Sequence, residues 1–186
     1  MRPFALALFF ALPLSAQQDI NPIHIWDLAR EEPGQLTIYN PDANDAEFGT
    51  PVRAGDLNGD GFDDLVVSAM AGDEERAIFG IKTEVADLDA DGANDLLVGA
   101  FYANGPARAN AGKLYLISGM LLRERLAAER TLDLARTWPA GVAVAIGAEP
   151  RSRLGVWVAA GDINGFAGAS IRHGATTSGH DHYLRL

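Results

Sequence analysis

The 186-residue chain contains no cysteine, which excludes both a disulfide framework and a cysteine-based zinc site. Positive charge is also scarce: 15 Lys and Arg against 25 Asp and Glu give a net charge of −10, and there is no basic run. The chain therefore lacks the electrostatic footprint of a nucleic-acid-binding protein. Hydrophobic residues make up 48% of the sequence, so the composition is that of a folded chain with room for about one domain.

Long apolar runs are scarce too, and the most apolar one stands at the start of the chain. Arg2 precedes an apolar run over residues 4–14, and the small residues Ser15 and Ala16 follow it. This order is typical of a secretory signal peptide, and the run is short for a membrane span. It favours cleavage after Ala16 over the alternative, a buried N-terminal helix. The sequence therefore predicts a secreted or extracytoplasmic protein, in the periplasm or at a cell surface, with no membrane span in the mature chain.

Two acidic segments, DLNGDGFDD at 56–64 and DLDADGAND at 87–95, carry the clearest chemistry. In each, positions 1, 3, 5 and 9 have oxygen-bearing side chains, position 6 is a glycine that permits a sharp turn, and position 7 offers a backbone carbonyl. Hard oxygen ligands at this spacing suit Ca²⁺ better than Zn²⁺. The candidate metal ligands are Asp56, Asn58, Asp60, Phe62 and Asp64 in the first loop, and Asp87, Asp89, Asp91, Ala93 and Asp95 in the second.

Two other interpretations of these loops are weaker. An EF-hand requires a glutamate at position 12, where this chain has Val67 and Val98, and it requires flanking helices where the sequence is strand-like. A single acidic segment could also be a solvated Asx-rich turn. Two segments in the same register favour a metal site, because the repeated crowding of carboxylates is relieved by a bound dication.

Internal repeats surround the two loops. An offset of 31 residues aligns Phe48-Gly49 with Phe79-Gly80 and the first loop with the second. An offset of 106 aligns residues 26–39 with 132–145, and it also carries the Ala-Gly-Asp before the first loop onto residues 160–162. Repeat units therefore start at residues 48, 79 and 154. The third unit soon loses the acidic pattern, so Asp162 and Asn164 are not expected to form a working site.

The local pattern around these units is mostly that of β-structure. Alternating or β-branched segments predict strands at 34–39, 50–56, 64–69, 85–89, 95–101 and 112–119, with glycine-rich punctuation between them. Residues 120–135 are the one helix-like stretch, and we expect about half of it to be helical. The tail after residue 168 shows no β alternation.

The segments FGTPVRAGDLNGDGFDDLVVSA and FGIKTEVADLDADGANDLLVGAF resemble FG-GAP repeats, which occur in the N-terminal β-propeller of integrin alpha chains and in many secreted bacterial proteins. The resemblance covers residues 26–165. It implies an all-β fold of β-propeller-type blades, with calcium-binding hairpin loops whose ligands are the loop residues named above.

The resemblance also implies a division of the chain: signal peptide 1–16, a partial N-terminal blade 17–47, a shortened repeat 48–78, a full repeat 79–153, and a degenerate or truncated third repeat with a tail, 154–186. The full repeat would hold four strands, with residues 131–135 as the outermost, and the shortened repeat would lack its two outer strands. About two and a half units are fewer than the four or more blades of a closed propeller. The chain is then a fragment, an open stack, or a protein that assembles with other chains. Truncation, a shifted reading frame or a natural end would each produce such a tail.

The expected function follows from these features. We expect a secreted, calcium-binding, integrin-alpha-like repeat protein that acts in adhesion or protein recognition and is not an enzyme. Its partner would be a protein or another extracellular ligand rather than nucleic acid. The alternative is a non-catalytic accessory module of an extracellular hydrolase.

Overall fold

The computed structural model describes residues 6–9, 35–39, 45–72, 78–128, 130–134, 138–161, 170–174 and 181–184. This part of the chain is mostly β-structure, as the alternating and β-branched segments predict. The strands are β1 (Leu6–Phe9), β2 (Gln35–Tyr39), β3 (Asp45–Gly55), β4 (Asp64–Gly72), β5 (Phe79–Ala86), β6 (Asp95–Ala100), β7 (Lys113–Ile117), β8 (Thr131–Asp133), β9 (Val142–Ile146), β10 (Trp157–Gly161), β11 (Ser170–Gly174) and β12 (Asp181–Leu184). One helix, α1 (Gly119–Ala127), lies between β7 and β8.

The first module consists of β3, β4, β1, β2 and β8, in that spatial order. β3 and β4 form an antiparallel hairpin around the first acidic loop. The sequence indicated that this shortened unit lacked its outer strands. The structure corrects this interpretation, because β1 pairs antiparallel with both β4 and β2 and so supplies those strands from the N-terminal side. β1 lies within the predicted signal peptide, and removal of residues 1–16 stays a prediction.

The second module is an antiparallel meander of four strands, β5, β6, β7 and β9. The full repeat was expected to hold four strands, but with residues 131–135 as the outermost. Instead β9 takes that place, and β8 pairs in parallel with β2 of the first module. The physical reason is burial: Leu132 and Leu134 are 3% and 4% exposed and pack in the same core as Leu36 and Ile38.

The third module comprises β10, β11 and β12, which pair antiparallel in chain order. Its β10 belongs to the third repeat unit. The tail was not expected to form strands because its side chains do not alternate. It nevertheless provides β11 and β12, since backbone pairing with β10 requires only an extended chain and not an alternating pattern.

The modules stack face to face through their first strands: β3 packs on β5, and β5 packs on β10. One apolar core lies between the first and second modules, where Val66, Leu96 and Val98 are completely buried. A second, smaller core lies between the second and third modules and contains Leu97 and Val158. A single residue pair, Ala71 with Phe79, joins β4 to β5.

Helix α1 covers nine residues, about half of the predicted helical stretch, and buries Leu121 and Leu122. Among the described residues, no helix has the length and apolar character needed to cross a membrane. Most of the predicted signal peptide, with Ala16, lies outside the described residues. The same holds for Asp162 and Asn164.

Candidate metal centre

Both acidic segments are loops at the end of a β-hairpin, the first between β3 and β4 and the second between β5 and β6. The carboxylate at position 9 closes each loop. Asp64 Oδ2 accepts the N–H groups of Leu57 at 2.8 Å and Asn58 at 3.1 Å. Asp95 Oδ2 accepts the N–H of Leu88 at 2.9 Å. Asp64 and Asp95 are 1% and 2% exposed, so these buried charges are compensated by backbone donors.

The carboxylate at position 1 holds the turn at position 6. Asp56 Oδ2 accepts the N–H of Gly61 at 2.9 Å, and Asp87 Oδ2 accepts the N–H of Gly92 at 3.0 Å. Both glycines have a positive φ, 86° and 85° respectively. This left-handed conformation is accessible to glycine at little cost, which explains the residue type at this position.

The carboxylate at position 5 binds the backbone at position 7. Asp60 Oδ1 accepts the N–H of Phe62 at 2.9 Å, and Asp91 Oδ1 accepts the N–H of Ala93 at 2.7 Å. Ala93 is 1% exposed, whereas Phe62 is 47% exposed. The two loops therefore share one hydrogen-bond pattern but differ in how deeply position 7 is buried.

In the second loop, three predicted ligands converge. One carboxylate oxygen from each of Asp87, Asp89 and Asp95 lies within 4.8 Å of the others. Asp87 Oδ1 is buried and accepts no hydrogen bond. A buried, unpaired carboxylate oxygen beside two further carboxylates is an unfavourable arrangement that a cation would correct. The donor set fits a hard divalent cation, because all the converging ligands are oxygens.

The pKa of Asp95 is also consistent with a cation beside this carboxylate. Burial raises the pKa of the Asp95 carboxyl above its usual value, and the charges of Asp89 and Asp91 raise it further. The N–H groups of Gly119 and Leu88 donate hydrogen bonds to the carboxylate and oppose the rise in pKa. Burial therefore makes the ionised form of Asp95 less favourable than that of a solvent-exposed aspartate, and a nearby cation would offset this effect.

The first loop is arranged differently at position 3. Asn58 Nδ2 donates to Asp60 Oδ2 at 3.1 Å and to Asp64 Oδ1 at 3.3 Å, while Asn58 Oδ1 accepts the N–H of Asp60 at 2.8 Å. The amide therefore satisfies carboxylate oxygens that a cation would otherwise bind. The first loop brings its predicted side chains together through hydrogen bonds, and the second brings three carboxylates together directly.

Three residues outside the predicted ligand set link the two loops to each other and to α1. Asn94 Nδ2 donates to the Asp56 carbonyl at 2.8 Å, which joins the second loop to the first. The N–H of Gly119, at the start of α1, donates to Asp95 Oδ1 at 2.9 Å. Arg123 Nε of α1 donates to the Leu57 carbonyl of the first loop at 3.3 Å. Sequence spacing carries no signal for these contacts, since they join separate elements of the chain.

The FG-GAP repeat family model matches residues 48–78, which hold β3, the first acidic loop and β4. Residues 48–78 are an FG-GAP repeat. The predicted resemblance is confirmed for this segment, including the unit's start at Phe48-Gly49. A search of curated proteins finds no relative of the chain. The second loop follows the FG-GAP segment at an offset of 31 residues and repeats its hairpin and most of its hydrogen bonds.

Proposed function

We propose that this chain is an extracellular FG-GAP protein, comparable to the repeats of integrin alpha chains, in which Ca²⁺ binds the hairpin loops. The observation that carries the proposal is that one carboxylate oxygen from each of Asp87, Asp89 and Asp95 lies close to the others, while Asp87 Oδ1 is buried without a hydrogen bond. The ligands in the second loop would be these three carboxylates with Asp91 and the carbonyl of Ala93. Asp56, Asn58, Asp60, Asp64 and the carbonyl of Phe62 would serve in the first loop.

A bound Ca²⁺ would supply positive charge at a point where the hairpin otherwise holds several carboxylates. The chain's own residues set the conditions for that binding. In the second loop, backbone N–H groups hold one oxygen each of Asp87 and Asp91 and leave the other oxygen for the cation, whereas both oxygens of Asp95 already accept a backbone N–H. The second loop would bind more tightly than the first, because it has four carboxylates where the first has three and an amide.

The biological role that we propose is protein recognition or adhesion without catalysis. The first FG-GAP loop lies at the end of a hairpin and carries Phe62 with 47% of its surface exposed. Phe62 is therefore the side chain in this loop that we expect a protein partner to cover, because an aromatic ring contributes a large apolar contact area. Export through the N-terminal signal peptide would place these loops in an environment that contains calcium.

Calorimetric titration with Ca²⁺ tests the proposal. Asp89→Asn should weaken the tighter binding event to about the strength of the first loop, because it removes one of the three converging charges and leaves the amide that the first loop has as Asn58. Asp63→Asn is the matched control: Asp63 is exposed, lies at position 8 of the first loop and is not a predicted ligand. A chain that takes up no Ca²⁺, or an Asp89→Asn variant that binds as the unmodified chain does, would contradict the proposal.

A further inference from the structure

The first module exposes part of an apolar face whose equivalents in the other two modules pack against a neighbouring module, although Val67, on the same side of β4 as Leu65, is itself buried. Val52 and Leu65 are 45% and 43% exposed, and Ala54, which is paired with Leu65, is also exposed. We call Val52, Ala54 and Leu65 the open face. These side chains alternate with Arg53 and Gly55, which face the second module: Arg53 contacts Glu84 there. The open face therefore points away from the rest of the stack.

The repeat offset of 31 identifies the counterparts of the open face in the second module as Thr83, Val85 and Leu96. Thr83 and Leu96 are completely buried, and Val85 packs in the core shared with the first module. The counterparts in the third module, Val158 and Ala160, pack against the second module. In the second and third modules this face packs on the preceding module. Among the three described modules, only the first has no module before it.

The last module exposes the complementary surface. In β10, Val158 and Ala160 face the second module, so Ala159 points the other way; Trp157 lies on the same side of the strand as Ala159, but its ring reaches back to Lys82 of the second module. Trp157 is 63% exposed, although Lys82 lies over its ring, and Ala159 is exposed as well. We call Trp157 and Ala159 the end face. Among the three described modules, the first thus exposes the face that elsewhere packs on a preceding module, and the third exposes the face that elsewhere packs on a following one.

A close approach of inner strands shows how the faces meet. A Cβ on Gly55 would lie 2.6 Å from Val85 Cγ1, so β3 and β5 are nearly in contact at this point. By the repeat offsets, Ala86 corresponds to Gly55 and Ala160 corresponds to Val85 at the junction between the second and third modules. Ala86 and Ala160 do pack in the second core. The next equivalent pair would be Gly161 with Ala54. A Cβ built on Gly161 would have no atom within 4 Å. None of the described residues therefore packs on Gly161 as Val85 packs on Gly55.

We propose that the open face of one copy binds the end face of a second copy. Two copies of three modules give six, within the range of about four to eight blades of closed propellers. A two-fold pair would satisfy both open faces and both end faces at once, and closure would stop the head-to-tail contact from growing into a fibre. The two copies together then form one six-bladed ring.

Sedimentation equilibrium of the purified chain in millimolar Ca²⁺ should give twice the chain mass. Leu65→Glu and Trp157→Glu should each weaken the dimer at least about 30-fold, because each places a charge in the interface. Met120→Glu is the matched control: Met120 is 59% exposed on α1 and belongs to neither face. A monomer, a polymer, or a dimer unaffected by the first two substitutions would overturn the proposal. A folded monomer would mean that further chain or another protein covers the faces.

A cross-linking measurement does not depend on whether the charged variants fold. Because the chain has no cysteine, Ala54→Cys and Gly161→Cys can be introduced singly into two batches of protein. Mixed and oxidised, the batches should form a disulfide between one copy of each variant in preference to either homodimer, since only the opposite faces meet. Equal amounts of all three products, or homodimers alone, would contradict the proposed arrangement.

Discussion

Replacing Asp87 by asparagine separates the charge of this residue from its hydrogen bond. Asp87 Oδ2 accepts the N–H of Gly92 at 3.0 Å, and an asparagine side-chain oxygen can accept the same bond. The charge that converges with those of Asp89 and Asp95 is lost. We therefore expect Asp87→Asn to keep or slightly raise the stability of the calcium-free chain and to abolish the stabilisation that calcium provides through the second loop.

The free energies involved are large enough for both effects of Asp87→Asn, the one without calcium and the one with calcium, to be measured. Two charges 4.8 Å apart repel by about 3.5 kcal/mol at an effective dielectric constant of about 20. A shorter separation would raise this value, and the solvent around the exposed Asp89 lowers it by screening. Calcium at a hundredfold excess over its Kd adds about 2.7 kcal/mol per site to the free energy of unfolding. For a chain of this size, that corresponds to a rise in Tm of about 5–11 °C per site.

Thermal melts in chelator, in Mg²⁺ and in Ca²⁺ provide the assay. The unmodified chain should melt highest in Ca²⁺, with a smaller rise in Mg²⁺, which requires a tighter octahedral cage. Asp63→Asn removes the same charge from an exposed position and should retain the whole calcium response. An Asp87→Asn variant that loses as much stability in chelator as in Ca²⁺ would refute the reasoning, because the carboxylate would then be only part of an acidic turn.

Four further outcomes are expected. In calorimetric titrations, Asp91→Ala should remove the tighter calcium site and Asp60→Ala the weaker one. Ala90→Gly should raise the free energy of unfolding by about 1 kcal/mol in urea titrations, because Ala90 has a φ of 64° where the first loop has glycine. Gly99→Ala should lower it by about 1–3 kcal/mol, since a Cβ there would overlap the backbone of the third repeat unit at Gly155. Sequencing of protein from a secreting host should find Gln17 at the N-terminus.

Residue pattern alone predicted the parts of this fold that depend on local sequence. The hairpins around both loops, the strands β2 and β7 and the half-helical stretch that forms α1 all follow from alternation, turn glycines and apolar spacing. The repeat offset of 106 also carries β2 onto β9 to within one residue, so the equivalence of these outer strands was present in the sequence.

The parts that sequence could not predict are the long-range pairings. Residues 131–135, which contain β8, were predicted as the outermost strand of the second repeat, but burial of Leu132 and Leu134 draws β8 to the first module. β1 fills the place in the first module that β7 occupies in the second, although its sequence has the pattern of a leader. In both cases the free edge of a distant strand decides the pairing, and no local signal reports such an edge.

The position of the second loop gives its aspartates a role beyond the hairpin that they close. Asp95 receives the N–H of Gly119, so this carboxylate also fixes the start of α1. Helix α1 in turn places Arg123 against the first loop, and Asn94 binds the Asp56 carbonyl directly. The two loops and the helix therefore form one connected group at the junction of the first two modules. A cation in the second loop would hold that junction together, because the residue that binds the ion also orients the helix that contacts the first loop.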